Sequence, residues 1–268
     1  MSASVRVRLI VALVALAAAG TAVGVTLATR TDVAKQTSKP PPYAADPTAR
    51  PEIARAVQEA LRAWPAGTVR RLRILAERYP RSGLVRLELG LGLVLTGQQA
   101  DATKAWLDAE RVQPDSPSAV RAQDLRHPNT PPDLPPFVPS FSQPTSAVQT
   151  RLLRGAAFQQ ALRPVSAERE FEAAAALAPA DPEALTAAAV GLYDKDRPAL
   201  AFSHLGPLVR RFPHAQTVRF HLGLLLLWSA QVKEARKQLQ QAQREAPRSL
   251  LGRQATRYLA ALDRIGTG

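Results

Sequence analysis

The residues best able to do chemistry in this chain are its four histidines, His127, His204, His214 and His221. Imidazole serves as metal ligand, general base or proton shuttle near neutral pH. None of the four stands from another His, or from a Glu, at a ligand interval such as His-Glu-x-x-His, which would place two imidazoles on one helix face. Each reads as a surface or helix-end residue. The acidic residues Asp181, Glu183, Asp194 and Asp196 fall at expected helix ends and turns, where capping accounts for them. There is no Gly-x-Ser-x-Gly elbow and no Gly-x-x-x-x-Gly-Lys-Ser/Thr loop. Cysteine is absent, which removes disulfides, thiolate zinc sites, iron–sulfur clusters and cysteine nucleophiles. The stretch LELGLGLVLTG, Leu87 to Gly97, offers paired glycines, but a dinucleotide fingerprint needs its third glycine two residues earlier, between a strand and a helix. The expectation is a chain with no catalytic residues, no metal and no cofactor; an enzyme with an unrecognised site in the helices is an alternative.

If side chains do no covalent chemistry, the elements that carry them must supply the function through surface. The chain has 268 residues, of which 46% are hydrophobic, dominated by Ala and Leu with few aromatics. That balance favours helices. Residues Leu9 to Thr29 form an uncharged, mostly apolar run between Arg8 and Arg30, about the ~20 residues a bilayer span requires. The run is longer than the ~7–15 residue core of a cleavable leader, so an uncleaved anchor behind a short basic tail, residues 1–8, is preferred to cleavage after Ala19 or Ala28. Residues 30–48, with Lys39-Pro-Pro-Pro42 and Asp46-Pro47, read as an extended tether.

Beyond the tether the apolar spacing is helical, and it repeats. From Gly90 the intervals run to Ala102, Trp106, Ala109 and Pro114. The same intervals start again from Gly155, through Ala167, Phe171, Ala174 and Pro179, and from Ala189, through Ala201, Leu205, Leu208 and Pro213. They start once more from Gly223, through Ala235, Leu239, Ala242 and Pro247. The glycines permit a close crossing of two helices, and the alanines are the small surfaces they are expected to meet. The large residues fill the gap, and each proline ends the second helix. A lone helix pair cannot bury its apolar face, so stacking must supply the core. On this pattern LELGLGLVLTG is the first helix of a pair, and Gly97 terminates it in a left-handed turn.

The ~34-residue period and these slots resemble the tetratricopeptide repeat. The resemblance covers units 83–116, 148–181, 182–215 and 216–249, with the usual opening aromatic replaced by Arg86, Arg151, Leu185 and Arg219. It implies an all-α, right-handed solenoid of helix–turn–helix repeats, to which the apolar run adds an N-terminal transmembrane helix and the proline spacing a proline-rich insertion. Its expected organisation is basic tail 1–8, anchor 9–29, tether 30–48, a degenerate pair plus the first clear unit in 49–116, a short helix and extended insertion in 117–147, three tandem units in 148–249, and a capping helix and tail in 250–268.

What the resemblance implies for function is protein binding along a groove lined by first helices. Carried over, that face comprises Leu84, Leu87, Leu91, Val94 and Leu95, then Gln149, Leu152, Ala156, Gln159 and Gln160. Glu183, Thr186, Val190, Tyr193 and Asp194 follow, and Thr217, Phe220, Leu224, Leu227 and Trp228 complete it. The partner-binding candidates are Gln159, Glu183, Val190, Tyr193, Asp194, Phe220, Leu224 and Trp228; Phe220, Leu224 and Trp228 have an alternative as core against the capping helix. Pro117–Ala147 interrupts the array with prolines at 128, 131, 132, 135, 136, 139 and 144, which force an extended course. Its Phe137, Val138 and Phe141 are expected to fold back over the Leu84–Leu87–Leu91 face.

The net charge is +13, of which three arginines lie in the first thirty residues. Lys233, Arg236, Lys237 and Arg244 cluster on one late helix, which leaves an electrostatic binder of anionic lipid or wall polymer as an alternative. Nucleic acid is disfavoured because no aromatic platform accompanies the charge. The leading expectation is a bacterial scaffold anchored in the cytoplasmic membrane by a single pass from Leu9 to Thr29, its C-terminal domain outside, holding another protein in its groove during envelope assembly or secretion.

Overall fold

The computed structural model describes residues 39–266. Over these residues the chain is helical throughout, with no strand among them. The elements are α1 (Pro51–Leu61), α2 (Thr68–Arg78), α3 (Gly83–Leu95), α4 (Gln99–Val112), α5 (Pro117–Arg126), α6 (Ala147–Gln160), α7 (Pro164–Leu177), α8 (Pro182–Gly191), α9 (Ala199–Arg211), α10 (Gln216–Trp228), α11 (Val232–Glu245) and α12 (Leu250–Gly266). They divide into two compact units, an N-terminal one within Val25–His127 and a C-terminal one from Pro128 onward. In each unit successive helices pack as neighbours in sequence order, α3 on α4, α6 on α7, α10 on α11 and α11 on α12.

The transmembrane part of the expected fold class fails. Among the described residues no helix is long and apolar enough to cross a membrane. The most apolar helix, α3, has 13 residues, about 20 Å at ~1.5 Å per residue, against a hydrocarbon core of ~30 Å. The run Leu9–Thr29 lies outside the described residues. The single-pass location drawn from it is withdrawn with it.

Why these segments are helices is visible at their ends. Ser82, Ser116 and Ser146 accept hydrogen bonds from the amides of Val85, Ala119 and Gln149, and Asp181 accepts from Glu183 N, each satisfying a donor that the first turn leaves free. Pro51, Pro117, Pro164 and Pro182 occupy the first turn, where a missing N–H costs nothing. At the end of α3, Gly97 has φ 80°. Its N–H bonds the Val94 carbonyl and Gln98 N–H bonds Leu93, the paired bonds of a Schellman turn. The same pair recurs where the repeat predicts it. Leu162 and Arg163 bond Gln159 and Phe158, and Ala230 and Gln231 bond Leu227 and Leu226. There, however, Leu162 (φ 54°) and Ala230 (φ 59°) carry the left-handed conformation without glycine.

The tight helix crossings differ from expectation in their partners. A Cβ on Gly90 would lie 2.2 Å from the Trp106 indole, and one on Gly155 would lie 2.3 Å from the Phe171 ring. The glycine thus opens a socket for the large residue itself; at Gly223 a Cβ would meet Leu239 at 2.8 Å and the Ala235 carbonyl at 3.4 Å. The indole also donates to the Leu87 carbonyl across the pair, at 3.3 Å. The arginines that replace the opening aromatic serve the same interface from its edge. Arg86 pairs with Asp108 at 3.4 Å, Arg151 with Glu170 at 3.0 Å, and Arg219 bonds Gln238 at 3.2 Å, first helix to second in every case.

Each unit has its own interior. In the N-terminal unit Val57, Leu72, Leu84, Leu87, Trp106 and Ala122 form one cluster. The C-terminal unit holds two, one around Phe171 and Leu152, the other around Phe220, Leu224, Leu239 and Tyr258.

Candidate functional site

Two extended segments lie along first helices. In the N-terminal unit residues 39–48, the described part of the expected extended tether, run against α3 and α5. Ala44 N donates to Glu88 Oε1 at 2.7 Å, and the Ala45 carbonyl accepts from Arg121 at 2.6 Å. Asp46, 5% exposed, caps the start of α5: its Oδ2 accepts from Ser118 N at 3.2 Å and from the Ser118 hydroxyl. Leu84 and Leu87 are covered within this unit, and Tyr43 and Ala44 pack on the same cluster. The expectation that Phe137, Val138 and Phe141 cover them is therefore wrong.

Those residues fill a groove in the C-terminal unit instead. Phe137, 3% exposed, stacks on the His221 ring at 4.8 Å and meets Phe171 edge-on at 5.2 Å. Phe141 packs on the Phe171 cluster, while Leu134 and Val138 pack on the Phe220 cluster. Residues 131–141 form a strap that joins the two apolar clusters of its unit.

The polar contacts of the strap have a simple logic. Pro135, Pro136 and Pro139 have no N–H to satisfy. The amides of Phe137, Val138 and Ser140 each find a side-chain acceptor on a different first helix. Phe137 N donates to Gln159 Oε1 of α6 at 2.7 Å, and Val138 N to His221 Nε2 of α10 at 2.9 Å. Ser140 N donates to Glu183 Oε1 of α8 at 2.6 Å, and its hydroxyl to Oε2 at 2.7 Å. Upstream the direction reverses: Trp228 Nε1 donates to the Asp133 carbonyl at 3.2 Å, and Lys195 Nζ to that of Pro131 at 2.7 Å.

His221 is the centre of this arrangement, and it overturns the reading of every histidine as a surface or helix-end residue. It lies mid-helix and fully buried. Nδ1 is 2.7 Å from the Thr217 carbonyl. A carbonyl only accepts, so Nδ1 carries the proton and Nε2 is left as the acceptor Val138 needs. Burial pushes the imidazole down to about 4, with the Thr217 bond opposing. Burial likewise raises the Glu183 carboxyl above its ordinary value, and its bonds from Ser140 oppose the rise.

The eight candidate residues separate on these grounds. Gln159, Glu183 and Trp228 meet on the strap. Val190 (2% exposed), Phe220 (0%) and Leu224 (1%) are interior, Phe220 with its ring 6.1 Å from Tyr258 of the capping helix α12. Tyr193 is also buried; its hydroxyl donates to the Trp228 carbonyl at 3.3 Å, and burial pushes it up to about 12. Asp194 closes the turn after α8 by accepting from Asp196 N at 2.8 Å and pairing with Arg197 at 3.3 Å. Sequence reasoning missed His221 and Lys195. His221 is four residues from Thr217 and one turn before Leu224, both on the inferred groove face. That spacing could have found it, had the histidine not been read for metal chemistry alone. Among the described residues no group of three or more His, Asp or Glu converges as a metal-ligand set.

Compared with known proteins, the chain matches no family model and no curated relative. Among solved structures, one similar chain is described as "MamA RS-1 ArsTM double mutant". It is 15% identical, with 72% of this chain and 92% of that one covered and a TM-score of 0.30. A likeness of that size decides neither partner nor activity.

Proposed function

We propose that this chain is a tetratricopeptide-like scaffold that binds another protein through its first helices, with no catalytic role. The observation that carries the reading is the groove of the C-terminal unit. Three first helices, α6, α8 and α10, each direct one acceptor side chain at the backbone of the same extended segment. A face that satisfies main-chain amides and provides an apolar socket between them has what recognition of an extended peptide requires. Repeat arrays support such a face because each helix pair adds one more first helix to a continuous surface.

The test is photocrosslinking in intact cells from a residue at Gln160, which is exposed at the end of α6. Captured proteins are identified and then rebound in purified form. The reading expects a captured protein whose rebinding is lost in the Gln159→Ala, Glu183→Ala double variant. Capture of nothing, or of a protein that the double variant binds equally well, would defeat it.

A further inference from the structure

We infer that the strap is an internal copy of the ligand, and that the groove of the C-terminal unit takes in its place a partner segment reading Pro-aromatic-aliphatic-Pro-Ser in extended form. This rests on the scaffold reading above and names the partner class for the same site.

The chemistry of the occupied groove states what fits it. Acceptors stand at the amides of residues 137, 138 and 140 and nowhere between. A segment with proline at the position of residue 139 leaves no donor unsatisfied, whereas another residue there would add a half-buried amide for which the groove offers no acceptor. Proline ahead of the aromatic fits equally, and it holds the segment near polyproline geometry before binding, so little ordering entropy is lost. The socket between Phe171 and His221 takes a flat ring with one face stacked and one edge met. Glu183 accepts from both N–H and O–H of Ser140, which selects a hydroxyl residue at that end.

The strap is also placed so that it can be exchanged. Pro128 and Asn129 on one side and residues 142–146 on the other are exposed, and Ser140 itself is exposed on its carboxylate. The chain can therefore peel from the Ser140 end without disturbing a helix. Tethering gives the strap a high effective concentration. A partner must then outdo it by continuing past the strap's ends, so a second copy of the strap alone has no advantage.

The probe is a fluorescent synthetic peptide of residues 131–142, PPDLPPFVPSFS, added to the full chain and to its Ser140→Pro variant. That substitution removes the amide and the hydroxyl that hold the strap's end and leaves every groove residue in place. The peptide is expected to bind the variant about tenfold or more tighter than the native chain, and a further Glu183→Ala change is expected to erase the difference. A peptide carrying proline at the Ser140 position should lose a similar factor. On the native chain, the Val138 amide should exchange with solvent well ahead of the Leu224 amide in α10.

A folded Ser140→Pro chain that binds no peptide overturns the inference, as does a Val138 amide that exchanges only at the Leu224 rate. Dimer formation without peptide binding would overturn it in favour of strap exchange between copies. If Ser140→Pro does not fold, the exchange rates of the native chain and peptide binding to Ser140→Ala decide in the same way. Should the peptide fail while crosslinking at Gln160 still yields a rebinding partner, this inference falls and the scaffold reading stands.

Discussion

Two buried titratable residues hold the two extended segments, and burial moves them in opposite senses with respect to folding. Glu88 has one oxygen on Ala44 N and the other without a partner, and burial raises it to about 7. A carboxyl raised on folding contributes stability below its unfolded value of 4.5 that is lost as pH rises through 7. The Glu88→Gln variant keeps the acceptor and removes the charge. It should be more stable than the native chain at pH 8 by about 2–3 kcal/mol, with the gap closing by pH 5. A gap unchanged between the two pH values in urea titrations would show that folding does not shift the Glu88 carboxyl. His221 is depressed from 6.5 to about 4, so its contribution is present above 6.5 and lost as pH falls through 4. The His221→Gln variant should lose that acid-side decline while retaining an acceptor for Val138, and the slope of stability between pH 6.5 and 4 measures it.

At the scale of elements, the turns that close α6 and α10 carry a cost that α3 avoids. All three use the same paired carbonyl bonds, but Leu162 and Ala230 sit at φ 54° and 59°, where a Cβ crowds the following carbonyl. Replacing either with glycine should stabilise the chain by about 0.5–1 kcal/mol, seen as a rise of a few degrees in Tm. A fall would mean that the side chain contributes more packing than its conformation costs. The hairpins themselves were legible because their slots are local. Gly90 and Trp106, or Gly155 and Phe171, are separated by one hairpin, and the recurrence of the interval reveals the contact. What recurs is nonetheless a socket and its occupant, with the assigned alanine among the nearest neighbours only at Gly223, through the Ala235 carbonyl. The prolines of residues 131–141 announced an extended strap, but the aromatic residues within it fit any apolar face. The first-helix face around Leu84 was the greasier candidate in sequence, yet Tyr43, Ala44 and its own helices cover it.

For the whole molecule, the two units are expected to answer acid differently. Glu88 lies in the N-terminal unit and His221 in the C-terminal one. Lowering pH from 7.5 to 5 should strengthen amide-exchange protection in α3 and weaken it in α10, because the raised carboxyl is relieved while the depressed imidazole is pulled toward protonation. Mass-resolved exchange at the two pH values, corrected for intrinsic rates, checks this. A uniform change in both helices would rule it out. The bland alternative for this protein, a charged surface in search of polyanions, predicts binding that collapses with salt. Groove recognition through amides and a phenyl socket predicts little salt dependence.

Composition and a recurring interval determined helix, hairpin and stack, because those depend on contacts closed within one repeat. They could not determine where the proline-rich segment lands, since its docking joins residues such as Val138 and His221 that no periodicity links. Nor could they separate lining from core among first-helix residues. One face of a helix holds both Leu224 and His221, and only the course of the strap across it makes one interior and the other a receptor for a main-chain amide. The membrane span inferred from an apolar run is not supported, since no helix among the described residues is long and apolar enough to cross a bilayer. Tertiary structure decided function-bearing geometry here for one physical reason: a hydrogen-bond acceptor acquires meaning from the donor placed opposite it, and that pairing is non-local.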